Sequence, residues 1–380
     1  MESPLKYFAE LKDPRVERTR EHLLEEILLL TIAAILSGAG GWNAIENYGK
    51  AKIDGLRTFL TLPSGIPSHD TFNRVFAALD PRELEKGFVA WVTSIARLTA
   101  GEVVAIDGKA LKGTRKAGSA AIVHLVSAWA NSNNLVLAQR KVDDKSNEIT
   151  AIPKLLQALE LSATVVTIPP HERRPVRGDP GIDAMGCQKA IAEKIVDKKA
   201  DYILAVKENQ PLLLEDIKDS FKMLAADTVA EEVDCGHGRV ERRRCAVLGD
   251  LTLLDRANDW TGLRSLVRIE AERFHKATGK TEQETRYYIS SLPPEAARLN
   301  QLVRQHWGIE NKLHWVLDVA FGEDLSRKRA GYAAQNFSVL NRIALNLLKQ
   351  DKTCKVGIHG KRLQAAWDHR YLLHLLGVEN

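Results

Sequence analysis

Three acidic residues stand where a carboxylate could take part in chemistry. Asp107 follows an apolar run at 103–106, Asp183 precedes a helical segment, and Glu310 lies in a later helical segment. An ionised carboxylate is unfavourable next to apolar residues unless something pairs with it. Carboxylates carried by a strand end, a strand-to-helix junction and a helix form a ligand set that suits hard divalent cations. The sequence therefore predicts one metal site with Asp107, Asp183 and Glu310 as its ligands.

The chemistry expected of such a site is phosphoryl transfer. Two Mg²⁺ ions held about 4 Å apart, with Mn²⁺ as a substitute, can activate water or a 3′-hydroxyl and stabilise the leaving oxygen of an in-line attack. We expect Asp107 and Asp183 to hold the first ion jointly and Glu310 to complete the site of the second.

Each acid also has a simpler explanation. Asp107 before a glycine suits a β-turn, Asp183 suits a helix cap, and a lone Glu310 suits a solvated helix face. Cys235, His237 and Cys245 form a conceivable zinc fragment, but their spacing matches no usual structural zinc site.

The composition predicts a folded protein of the cytoplasm with no membrane partner. Of the 380 residues, 44% are hydrophobic and 27% are charged. The apolar stretch at 27–39 falls short of the roughly 20 residues that a membrane-spanning helix needs. No leader pattern opens the chain, and the four cysteines form no C-x-x-C pair, which indicates reduced thiols.

Basic residues predict a polyanionic partner. The net charge is +5, and HGRVERR at 237–243 places cations on alternate positions of a predicted strand, as a strand laid along phosphates would. A solvated face is the simpler explanation of such runs. We expect DNA contacts from seven residues of the chain: Lys109, Lys207, Asn209, Arg239, Arg243, Arg304 and Trp307.

Helices and strands occupy different parts of the chain. Helices are predicted at 22–36 and 66–79 of an all-helical region 1–95, the second with Ser68 or Asp70 as its N-cap. The spacing of Phe72, Val75 and Phe76 is typical of a core face, although this helix could instead recognise DNA. Strands are predicted at 103–106, 122–130, 135–142, 164–168 and 202–206, with the turn NSNN at 131–134 and helices at 148–159 and 188–197.

This order predicts an α/β fold with a mixed sheet flanked by helices. The predicted domains are an N-terminal helical domain at 1–95, a catalytic domain at 100–350 and a C-terminal tail at 351–380. A β-rich insertion is predicted at about 207–292, with strands at 264–273 and 285–291.

Five motifs resemble the H-repeat-associated insertion-sequence transposases of bacteria. They are AIDGKALKGT at 105–114, IDAMGCQKAIAEKIVDKKADYILAVKENQ at 182–210, HGRVERR at 237–243, YYISSL at 287–292 and HWGIENKLHWVLDVAFGED at 306–324. The resemblance covers nearly the whole chain. It implies an RNase H-like catalytic domain interrupted by a β-rich insertion, with Asp107, Asp183 and Glu310 as the metal-binding (DDE) triad. It also implies a DNA-binding helical domain at 5–92. His306 stands where the wider superfamily has an arginine.

One segment departs from the family pattern. In the family, strand 164–168 would run directly into Asp-Ala-Met-Gly, whereas here PPHERRPVRGDPG intervenes at 169–181. A proline pair cannot continue a central strand. Either this loop bulges out and the chain rejoins the sheet edge at Asp183, or the metal site is broken, with Asp179 a weak substitute ligand.

The sequence thus predicts a transposase that nicks double-stranded DNA at element ends and joins the freed 3′-hydroxyl to target DNA, as a homodimer during synapsis. An inactive remnant that only binds DNA and an RNase H-like nuclease are the alternatives.

Overall fold

The computed structural model describes residues 2–115, 122–143, 147–168, 186–236 and 238–378. The first part of the chain is helical, as predicted, with five helices before residue 100: α1 Leu24–Leu36, α2 Trp42–Ala51, α3 Ile53–Leu56, α4 His69–Ala78 and α5 Pro81–Ile95. Ser68 caps α4 because its hydroxyl accepts a hydrogen bond from Thr71 N at 3.3 Å. Phe72, Val75 and Phe76 are fully buried, so the apolar face of α4 belongs to the core.

A single sheet of nine strands forms the centre of the described residues. The strands are β1 Val103–Leu111, β2 Val123–Ala130, β3 Leu135–Lys141, β4 Val165–Ile168, β5 Asp201–Val206, β6 Thr228–Gly236, β7 Arg239–Leu248, β8 Ser265–His275 and β9 Lys280–Ser290. Their spatial order is β3-β2-β1-β4-β5-β9-β8-β7-β6. β1, β4 and β5 are parallel, and the other neighbours pair antiparallel. The predicted mixed sheet is therefore confirmed.

The first strand is longer than predicted. We expected a strand at 103–106 with Asp107 at its carboxyl end, but β1 continues to Leu111. The antiparallel pairing with β2 sustains it, with Asp107 opposite Ser127. Parallel pairing with β4 stops earlier, at Ala105 opposite Thr167. Asp107 thus lies within the strand but beyond its parallel neighbour.

The region 207–292 is β-rich, as predicted, and extends the central sheet. Helix α8 at Pro211–Met223 opens it and was not predicted. Strands β6 to β9 then form an antiparallel set, and β9 pairs with β5, with Ile203 opposite Ser290. Backbone hydrogen bonds therefore connect this region directly to the parallel strands.

Helices cover both faces of the sheet. Helices α6 Glu148–Gln157 and α7 Lys189–Asp197 share a core with α1 and α11 Ala333–Gln350 on one face. On the other face, α9 Ala296–His306 packs through Leu299, Leu302 and Val303 on a core shared by the parallel strands and β7, β8 and β9. The last helices are α10 Trp315–Phe321, α12 Ile358–Trp367 and α13 His369–Leu376. None of the helices within the described ranges is long and apolar enough to cross a membrane.

A buried carboxyl joins the N-terminal helices to the rest of the chain. Glu85 of α5 is 4% exposed, accepts a hydrogen bond from Gln335 Nε2 at 2.8 Å, and lies 3.6 Å from Arg140 Nη1. Burial raises the pKa of Glu85 to about 7. A carboxyl whose pKa is raised on folding stabilises the fold below its unfolded pKa, and this contribution is lost as the pH rises through 7.

We compare the unfolding free energy of Glu85→Gln with that of the wild type at two pH values. The difference should be more favourable to the variant at pH 8 than at pH 5, by up to roughly 3 kcal/mol, because the variant lacks the buried charge that Glu85 carries at the higher pH. Denaturant unfolding at both pH values measures the difference. The matched control is Glu10→Gln, which changes an exposed residue of the same region. An unchanged pH dependence in Glu85→Gln would contradict the prediction.

Candidate metal centre and adjoining basic groove

Helix α9 continues towards α10 across the sheet face on which Asp107 lies. Side chains alternate along a strand, so Val103, Ala105, Asp107 and Lys109 of β1 share one face. His306, at the end of α9, shares a 2.8 Å hydrogen bond between Nδ1 and Oγ1 of Thr167, the residue opposite Ala105. Further along, Lys109 forms ion pairs with Asp318 and Asp324. Successive turns of the helical segment thus face alternate residues of β1.

A π-helical turn at Glu310–His314 separates α9 from α10. Such wide turns occur as single insertions in helices, often at functional sites. Here the turn presents Glu310 and His314 towards Asp107. His314 Nδ1 lies 3.4 Å from Asp107 Oδ2 and 3.5 Å from Glu310 Oε2. One ligand atom from each of the three residues lies within 4.8 Å of the other two. The structure thus brings Asp107 and Glu310 together.

The site is buried on one side and open on the other. The side chain of Asp107 is 4% exposed, whereas that of Glu310 is 42% exposed. Burial lowers the pKa of His306 to about 4, although Asp107 nearby acts in the opposite direction. The His306 imidazole is therefore neutral at pH 7 and adds no positive charge beside the carboxylates.

Lys109 is 8% exposed, and its ammonium is paired with Asp318. Burial raises the pKa of Asp318, and Lys109 opposes that shift. Lys109 thus joins β1 to α10 immediately beyond the acids. Its predicted contact with DNA stays a prediction.

Glu148 approaches β1 from the sheet face opposite the Asp107 side chain, at the glycine that follows Asp107. The carboxyl of Glu148, at the start of α6, lies so close to Gly108 that a β-carbon there would have no room. Neither Glu148 nor His314 was predicted from the sequence to lie near Asp107. For His314, the spacing of four residues from Glu310 was the available signal.

Asp183 and Asp179 lie outside the described residues, as do the remaining positions of the segment 169–185. The two described residues that border it, Ile168 and Gly186, are in contact, since a β-carbon on Gly186 would collide with the Ile168 side chain. Lys207 and Asn209 lie in the turn after β5, and Gln210 Nε2 of the same turn donates to Cys187 O at 3.0 Å.

A groove of about 530 Å³ lies against the π-helical turn, and we call it the basic groove. Asn311 and Lys312, which directly follow Glu310, form part of its lining. Glu241 is the one carboxylate of that lining within the described residues. Five cations line it: Arg239, Arg243, Arg273, Arg304 and Lys312. The predicted residues Arg239, Arg243, Arg304 and Trp307 therefore lie together.

Several of these cations have partners. Arg304 is paired with Asp234, and Arg273 lies 3.5 Å from Glu241. The guanidinium of Arg286 lies 5.3 Å from the centre of the Trp307 ring. Arg243 is 7% exposed, and its Nε has no hydrogen-bond partner among the residues that the structure describes.

The opposite face of β7 differs in charge. Arg242 and Arg244 point there and are matched by carboxylates, with Arg242 Nε 2.6 Å from Glu231 and Arg244 Nη1 3.7 Å from Glu270. The alternation in HGRVERR thus divides the arginines between two faces, and an excess of positive charge is found on the face towards Glu310.

Comparisons with known proteins agree with these features. The family model described as "Transposase DDE domain" matches residues 99–347. The chain belongs to the DDE transposase family. A second model, described as "DDE_Tnp_1-associated", matches residues 5–92 of this transposase-family chain.

Named relatives extend the similarity. "Putative transposase YncI" of Escherichia coli O157:H7 is 38% identical over 99% of this chain and 95% of its own length. "H repeat-associated putative transposase YhhI" of Escherichia coli strain K12 is 38% identical over 94% of this chain and 93% of its own. "Inactive transposase YbfQ" of the same strain is 50% identical over 14% of this chain and 64% of its own length. The resemblance stated from the sequence motifs is thereby confirmed.

Proposed function

We propose that this protein is a metal-dependent transposase that cleaves DNA at the ends of its own element and joins them to target DNA. The observation that carries the proposal is the convergence of Asp107 and Glu310 beside the basic groove. Acidic ligands and a cationic groove are the two parts that phosphoryl transfer on a polyanion needs.

The donor set fits a hard divalent cation. Asp107 and Glu310 supply carboxylate oxygens, and their ligand atoms lie within 4.8 Å of each other. Mg²⁺, or Mn²⁺ in its place, would supply Lewis acidity and a lowered pKa of bound water when held there. Two ions, a third ligand at Asp183 and an RNase H-like catalytic fold are parts of this proposal. The order β3-β2-β1-β4-β5 with β1, β4 and β5 parallel supports that fold.

Asp183 itself lies outside the described residues, and its role as a third ligand rests on the residues that border this segment. It precedes Gly186 by three residues, which an extended chain spans in about 10 Å. Gly186 itself lies against Ile168, at the carboxyl end of β4 next to β1. This arrangement supports the alternative in which the inserted loop leaves and rejoins the sheet edge.

The chain's own residues have distinct roles in this proposal. Lys109 pairs with Asp318 and so fixes α10 against β1. Neutral His306 bonds to Thr167 and fixes the end of α9 over β4. The basic groove orients the phosphate backbone so that a scissile phosphate lies over the exposed carboxylate of Glu310. The helical region 1–95 binds element ends, and two protomers act together.

The proposal is tested by incubating the full chain with Mg²⁺ or Mn²⁺ and DNA that carries the flanking sequence of its own gene. We expect cleavage at the element boundary and none in EDTA. Binding to the ends without cleavage under either metal would support an inactive, DNA-binding remnant. Cleavage with no preference for the ends would support a nuclease of the same fold.

The basic groove should supply most of the salt-dependent DNA affinity. We expect the double variant Arg239→Ala/Arg243→Ala to bind DNA at least about 10-fold more weakly and to lower the slope of log K against log salt by roughly 2. Titrations of labelled duplex at several salt concentrations measure both quantities.

Its matched control is Arg242→Ala/Arg244→Ala, which removes two arginines from the same strand and the same total charge. These side chains face Glu231 and Glu270, so binding should change little. Equal losses in the two double variants would show that net charge, and not the groove, determines affinity.

A further inference from the structure

His314 lies at the centre of the acidic site, although the metal-binding triad has no place for it. Its side chain is 7% exposed, and Nδ1 is directed between Asp107 and Glu310. Nε2 is buried and has no hydrogen-bond partner within the described ranges. The ring is therefore oriented by the carboxylates, and by contacts of the helix that carries it.

The distances around Nδ1 do not suit a hydrogen bond to one acid. A charge-assisted N–H···O bond is about 2.7–2.9 Å long. His314 Nδ1 instead lies 3.4 Å from Asp107 Oδ2 and 3.5 Å from Glu310 Oε2, nearly equidistant from both. Donors to one octahedral ion have a comparable separation, since cis ligands about 2.1 Å from the metal lie about 3.0 Å from each other.

The backbone also favours this arrangement. Glu310 and His314 are the first and last residues of the π-helical turn, and the turn places both towards β1. The donors therefore come from two ordered elements, a strand paired with β2 at Asp107 and a helix packed on the sheet. Preorganised donors of this kind are what a metal site requires.

We propose that His314 binds, through Nδ1, the same divalent ion as Asp107 and Glu310. The proposal rests on the metal dependence of the proposed function and adds a nitrogen ligand to it. Imidazole suits Mn²⁺ and later transition metals better than it suits Mg²⁺. We therefore expect the protein to bind Mn²⁺ more tightly than Mg²⁺ in the absence of DNA.

The test uses Mn²⁺ alone with the full chain and has a spectroscopic readout. Electron spin echo modulation of bound Mn²⁺ should show coupling to a directly bound nitrogen, and uniform ¹⁵N labelling of histidine should change that coupling. The signal should disappear in His314→Gln, with at least about 10-fold weaker Mn²⁺ binding. The control His359→Gln, an exposed histidine of α12, should retain both.

The outcomes separate this proposal from the proposed function. Bound Mn²⁺ without nitrogen coupling, in a wild-type protein that still cleaves DNA, would overturn the role of His314 alone. A nitrogen signal that survives in a folded His314→Gln variant would overturn it as well. Absence of both Mn²⁺ binding and DNA cleavage in the wild type would overturn both proposals. The wild-type ¹⁵N comparison does not depend on whether the variant folds.

Discussion

Replacing Asp107 with asparagine should reduce DNA cleavage by at least about 1000-fold while changing DNA affinity by less than about 2-fold. The amide retains the size of the side chain but loses the charge and one of the two carboxylate oxygens. Asp107 is buried within β1, and no other carboxylate is carried by the same strand. Cleavage of end-bearing DNA, measured under single-turnover conditions with saturating protein, separates the chemical step from binding.

Asp219→Asn is the matched control for this variant. Asp219 is an exposed residue of α8 that pairs with Lys222, so the substitution makes the same chemical change away from the acids. A cleavage rate of Asp107→Asn within 10-fold of the wild-type rate would show that Asp107 is not a ligand of the metal. A parallel loss of DNA binding would instead indicate that the fold had been damaged.

Replacing Arg342 with methionine should cost about 3–5 kcal/mol of unfolding free energy, because it leaves a buried carboxylate without its cation. Arg342 is fully buried, and its Nη1 lies 2.8 Å from Glu323 Oε1. Ser338 Oγ donates to the same oxygen at 3.0 Å. The pair joins α11 to the turn after α10, so its loss should also disturb the helix that carries His314 and Glu310. Denaturant unfolding measures the change.

Two further variants test whether the unpaired buried charge causes the loss of stability. The double variant Glu323→Leu/Arg342→Met should recover much of the lost stability, since neither charge is then left unpaired. Lys222→Met breaks an exposed ion pair and should have no measurable effect. A single variant as stable as the wild type would show that water reaches Glu323.

The same pair predicts how stability responds to acid. Burial by itself would raise the pKa of Glu323, but Arg342 and its other partners reverse this effect and lower the pKa below 4.5. A carboxyl with a lowered pKa stabilises the fold above its unfolded pKa, and the contribution is lost as the pH falls below 4.5. The double variant should therefore lose part of the acid sensitivity of the wild type.

Much of the fold could be predicted from local patterns. Ser68 as an N-cap, the turn at 131–134 and the strands ending at Ala130, Ile168 and Val206 all depend on residues close in sequence. The end of β1 was wrongly predicted because Asp107, Gly108 and Lys109 interrupt the apolar run. The strand that became β2 was predicted, but its pairing with residues 107–111 is known only when the sheet is assembled.

At the candidate site, too, some features could be predicted from local sequence and others could not. HGRVERR indicated cations on alternate positions of a strand, and Arg239 and Arg243 both line the basic groove, while their contact with DNA stays a prediction. The π-helical turn could not be predicted, since one extra residue per turn changes no pattern of side-chain types. In the sequence pattern alone, His314 is therefore indistinguishable from the other residues of an amphipathic helix. Position in three dimensions, and not residue type, distinguishes it.

The continuity of the sheet has a consequence for the nucleic acid. Because β9 is hydrogen-bonded to β5, the basic groove and the acids belong to one hydrogen-bonded framework, and no hinge lies between them. In the proposed function, any change of shape needed to bring a phosphate to Glu310 would therefore have to come from the DNA. Bending or unstacking of a duplex costs least at flexible pyrimidine–purine steps, so the position of such steps relative to the cut would then influence cleavage even where no side chain touches a base.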